Sequence, residues 1–115
     1  MCIRDRSRVL QEEILPHMRD GAICGEVFAE QNRQRVAMGH DPETRIFAHG
    51  QGYNLVERPL IRDDEPMMLR AGMNLAVHPT LADGENTFAV MCDNFILETG
   101  GMTRIHRTEQ RVFEI

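Results

Sequence analysis

Leu69-Arg70-Ala71-Gly72-Met73-Asn74-Leu75-Ala76-Val77-His78-Pro79 is the stretch on which the fold can be read. Met73, Leu75 and Val77 alternate with Asn74, Ala76 and His78, the period-two signature of a strand with one apolar face, and Pro79 ends it. His78 therefore stands on the less apolar face. Downstream, Thr87 to Leu97 is rich in Phe, Val and Ile and reads as a second strand, with Asp83-Gly84 as the turn between them, so an antiparallel hairpin is predicted. Gly100-Gly101 turns the chain towards shorter strands around Arg104 to His106 and Arg111 to Phe113. Upstream the period is helical. Val9, Leu10, Ile14 and Leu15 predict a helix from about Arg8 to Leu15, stopped by Pro16. Met18 to Gly21 is a turn, Cys24 to Met38 a second helix closed by Gly39, and Asp41 to Thr44 a loop. Two helices followed by antiparallel strands give the α+β class.

The chain of 115 residues suits one hydrophobic core, and its 42% hydrophobic and 27% charged content excludes a disordered chain. A net charge of -5 with no basic stripe excludes nucleic acid as a partner. Apolar runs such as Phe95-Ile96-Leu97 are too short to span a bilayer and no signal-peptide core is visible, so no membrane partner and a cytoplasmic location are expected. Cys2, Cys24 and Cys92 have no pairing pattern, and reduced thiols are expected. Residues 1–7, Met1-Cys2-Ile3-Arg4-Asp5-Arg6-Ser7, resemble a translated adapter sequence; they are set aside as a non-native leader, with the natural protein continuing upstream.

Three segments carry a family resemblance. Phe47-Ala48-His49-Gly50-Gln51-Gly52 and the following Glu57-Arg58-Pro59 are similar to a His-Gly-x-Gly stretch followed by an acidic residue and Pro. Gly72-Met73 through His78-Pro79 resembles a Gly-Met strand ending in Glu-Pro, with His78 at the Glu position. Phe88 to Leu97 resembles a late strand carrying a Glu-Asp pair, with Cys92 at the Glu position and Asp93 keeping the Asp. All three belong, in this order, to the pita-bread metallopeptidases: Xaa-Pro aminopeptidase, methionine aminopeptidase and creatinase. By this resemblance residues 8–115 are the C-terminal part of a pita-bread peptidase-like catalytic domain whose upstream half, with two ligand Asp residues, is missing.

The resemblance implies a metal-dependent hydrolase that cleaves at peptide N-termini or acts on a related small amide, with a homodimer as a common family assembly. It places His49, His78 and Cys92 at metal-ligand positions. Two-metal hydrolysis relies on carboxylates, which bridge cations and offset their charge; an imidazole at 78 and a thiol at 92 favour one zinc or iron ion over a dinuclear manganese or cobalt centre. Because creatinase implies that the fold also works without metal, a metal-free binding protein or non-peptidase enzyme is the alternative. Val56 stands where the methionine aminopeptidase pattern has its catalytic His. From the residues alone, a lone strand His is more often hydrogen-bonded than ligating, and a free Cys more often a small buried hydrophobe. Glu57 reads as an exposed strand-end residue pairing with Arg58 or Arg62, Arg62 to Pro66 as a solvated loop, and His17, His40 and His106 as surface residues.

Overall fold

In a computed structural model, which describes residues 2–111 and 113–114, the chain runs through two helices and seven short strands. Helix α1 spans Ile3–Ile14 and passes into a 3-10 turn at Leu15–His17, where Pro16 takes a first-turn position that needs no backbone donor. The helix thus begins five residues before the predicted Arg8. Its buried stripe is Ser7, Leu10, Gln11 and Ile14, so two polar residues share the inward face with two apolar ones. Helix α2 spans Cys24–Ala37. Gly39 closes it with a φ of +85°, a left-handed conformation that an L side chain adopts only at a cost.

The strands are β1 Ala48–Gly50, β2 Glu57–Leu60, β3 Asn74–Val77, β4 Thr80–Asp83, β5 Thr87–Val90, β6 Asp93–Glu98 and β7 Gly101–Arg104. Five form one antiparallel sheet in the order β2-β1-β3-β6-β7, and β4-β5 is a separate hairpin. This corrects the predicted hairpin. Asp83-Gly84 does lead into a hairpin turn, but that hairpin joins β4 and β5; β3 pairs with β6 across it. The run from Thr87 to Leu97 is broken at Met91-Cys92, where the chain leaves one sheet for the other. The predicted strand at Arg104 to His106 lies earlier, as β7. Arg111 and Phe113 are not strand residues, and Val112 lies outside the described residues.

One sheet face carries Leu75, Val77, Phe95 and Leu97 and packs with Ile14, Met18, Cys24 and Val27 of the helical half into a single core. Each such side chain contributes roughly 1.5–3 kcal/mol by leaving water. The helices occupy this side, so the opposite face of the central strands is the one left for polar side chains.

Candidate functional site

Strand register builds the polar face. His49 lies opposite Ala76 and Ala76 opposite Asn94, while the His78 backbone N–H donates to the Phe47 carbonyl at 2.7 Å. Since side chains alternate, His49 and His78 meet diagonally on one face across the small Ala76. Their ring centroids are 5.1 Å apart with the planes inclined at 55°. His49 is buried and His78 half-buried.

The chemistry of the two rings differs. His49 Nδ1–H donates to the Gly50 carbonyl at 2.9 Å, and since a carbonyl only accepts, this fixes the tautomer and leaves Nε2 with its lone pair. Burial, and secondarily the neighbouring His49, pushes the His78 pKa below that of a free imidazole, which favours the neutral, ligating form. His78 is also firmly placed. On α1, Gln11 Nε2 donates to the Val77 carbonyl at 3.1 Å and Ser7 Oγ to the Pro79 carbonyl at 2.7 Å, one on each side of His78.

Cys92 lies just before β6, outside its pairing with β3, where it is exposed, not the small buried hydrophobe that free cysteines usually are. It lines a cavity of about 360 Å³ with Arg4, Asp93, Arg104 and His106, and partial desolvation together with the Asp93 carboxylate raises its thiol pKa. Asp93 stands on the face opposite the imidazoles. It is buried on the helix side, where Arg104 donates to it at 2.9 and 3.0 Å and Gln110 donates to its second oxygen.

A dinuclear, carboxylate-bridged centre does not fit these side chains: positions 78 and 92 hold an imidazole and a thiol, and Asp93 is engaged by Arg104. Among the described residues no three His, Cys, Asp or Glu side chains gather into a ligand group. The two imidazoles fit part of a single-ion site, because one Nε2 lone pair is fixed by hydrogen bonding and the other ring is held neutral.

Glu57 serves the loop and pairs with neither predicted arginine. It accepts from the Asn54 backbone N–H at 2.8 Å and from the Asn54 side chain at 3.2 Å. Arg58 instead donates to Glu65, which is buried, so Arg62 to Pro66 is not simply a solvated loop. His17 and His106 are exposed, the latter accepting the Asn94 backbone N–H at 2.9 Å, whereas His40 is half-buried with Nε2 shielded from solvent. Ser7 and Gln11 were missed by sequence reasoning. Their signal was a pair of polar residues four apart within the apolar stripe of α1.

Neither a family model nor a curated protein sequence matches the chain. Solved structures do. X-Pro aminopeptidase from Thermotoga maritima superposes with a TM-score of 0.85 at 15% identity, covering 96% of this chain and 32% of that one. Prolidase from Pyrococcus furiosus gives 0.83 at 18% identity, covering 93% and 32%. Methionine aminopeptidase from Thermotoga maritima gives 0.74 at 18% identity, covering 89% and 49%. The chain spans about a third of the length of the first two and half of the third. At these identities the likeness establishes architecture: the chain has the α+β, pita-bread fold of these peptidases over that part of their length.

Proposed function

We propose that this chain supplies part of the active site of a metal-dependent hydrolase that cleaves an amide bond at a peptide N-terminus or in a related small amide. The observation that carries the reading is the imidazole pair: two rings 5.1 Å apart on the polar face of the central sheet, in a fold shared with aminopeptidases and prolidases. His49 and His78 would hold one zinc or iron ion, with Cys92 as the third candidate and carboxylates outside these residues completing the set. An ion bound there would supply Lewis-acid activation of an amide carbonyl. His49 is held in one tautomer by Gly50, and His78 is kept neutral and clamped through Ser7 and Gln11. A metal-free binding protein or non-peptidase enzyme is the second reading, and the uncharged amide side chains beside the imidazoles favour it.

Hydrolysis separates the two. Full-length protein loaded with zinc or iron should release the N-terminal residue from peptides with Pro at the second position, or hydrolyse a small amide, and should lose this activity by more than about 100-fold in His49→Ala. Activity that survives both chelation and His49→Ala contradicts the metal reading.

A further inference from the structure

On the same face, in the His49 row and the row beyond it, three amide side chains are linked. Asn94 Nδ2 donates to Gln51 Oε1 at 2.5 Å and to Asn74 Oδ1 at 3.2 Å. The register explains the meeting. The Gln51 backbone N–H donates to the Asn74 carbonyl, continuing the β1–β3 ladder, and Asn74 and Asn94 lie diagonally on β3 and β6. Rows of this face therefore run His49, Ala76, Asn94 and then Gln51, Asn74, Ile96, with no carboxylate or cationic side chain in either.

The linkage also fixes what is left over. With Asn94 Nδ2 donating to both neighbours, Gln51 Nε2 and Asn74 Nδ2 remain as donors and Asn94 Oδ1 as an acceptor. These atoms have no further partner among the described residues, and none is sealed from solvent. The strands do not need them, since the backbone ladders already join β1, β3 and β6.

We propose that Gln51, Asn74 and Asn94 form a recognition site for a neutral amide group of the ligand, seated beside the imidazole pair. A peptide unit presents one carbonyl acceptor and one N–H donor, which match the open donors and acceptor of the trio. A carboxylate would meet the Asn94 oxygen without a cation to compensate, and an ammonium would meet the two amide donors without a carboxylate to compensate. This deepens the amide-hydrolase reading and rests on it for the identity of the ligand, but it needs no metal.

The test is an NMR titration of the full-length protein in chelator with two probes, N-acetylglycinamide and N-acetylglycine. The expected result is binding of the neutral amide about 10-fold tighter than the carboxylate, with shifts at the Gln51, Asn74 and Asn94 side-chain amides. Gln51→Glu keeps an oxygen for Asn94 Nδ2 but loses a donor and adds charge, and should weaken amide binding about 10-fold; Asn94→Leu, checked for an unchanged fold by its backbone spectrum, should do the same. Equal binding of both probes, binding of neither, or undiminished amide binding in both variants overturns the proposal. Because no metal is present, amide binding that passes this test stands even if metal loading fails, and loss of selectivity counts against the trio alone.

Discussion

Glu65 sits at the turn after β2 with both oxygens occupied: Arg58 donates at 2.6 Å, and the backbone N–H groups of Leu60 and Met67 at 3.2 Å each. The Arg58 hydrogen bond is the largest cause of a pKa lowered from 4.5 to about 2, with the two backbone donors reinforcing it against burial. A depressed carboxylate pKa contributes stability that is full above the unfolded value near 4.5 and is lost as pH falls through that window towards 2. Glu65→Gln should therefore lower Tm by about 5 °C at pH 7, with the gap to wild type narrowing from pH 4.5 downwards. Melting curves at pH 7, 4 and 3 check it, and a gap independent of pH would count against the pairing. The same residue shows what sequence conceals at this scale. Arg62-Asp63-Asp64-Glu65 reads as one polar run, yet Asp63 and Asp64 are exposed while Glu65 turns inward, because only Glu65 meets converging N–H donors. His49 and His78 were visible through motif position; Ser7 and Gln11, which clamp the end of the His78 strand, were hidden by their polarity and, for Ser7, by its place in the excluded leader.

Between β1 and β2 the pairing shifts by a bulge at His49/Gly50, and the two backbones come close there. A Cβ on Gly50 would lie 2.6 Å from the Arg58 carbonyl oxygen, closer than any unstrained contact. Gly50→Ala should cost about 1–3 kcal/mol in denaturant unfolding and disturb the carbonyl that orients His49; an unchanged midpoint would show that the bulge yields freely. Elements were legible where one periodicity held throughout. Cys24 to Ala37 matched its predicted limits closely, since its N-terminal side follows a turn and Gly39 stops it. The single strand expected from Thr87 to Leu97 failed because nothing in its composition marks the departure at Met91-Cys92, where Gln11 reaches the Met91 carbonyl and β6 takes up pairing with β3.

At the scale of the molecule, fold and site separate. The order of helices and strands, with three ordered motifs, was enough to identify an architecture that solved peptidases share at 15–18% identity. The site was only partly legible, because ligand identity depends on which side chains converge in space: the imidazoles meet, Asp93 turns to Arg104, and Cys92 lines a separate cavity with Arg4 and Arg104. Several large apolar side chains remain exposed, Tyr53 and Leu55 on the β1–β2 loop and Phe88 on the outer face of the β4–β5 hairpin. No described helix is long and apolar enough to cross a membrane. The central claim is that His49 and His78 form the inner half of a single-ion site, and metal content of purified full-length protein tests it most directly, compared among wild type, His49→Ala, His78→Ala and Cys92→Ala. The account predicts about one equivalent of zinc or iron in wild type, lost in both histidine variants and weakened less in Cys92→Ala; no bound metal in wild type, or equal metal in all four proteins, would contradict it.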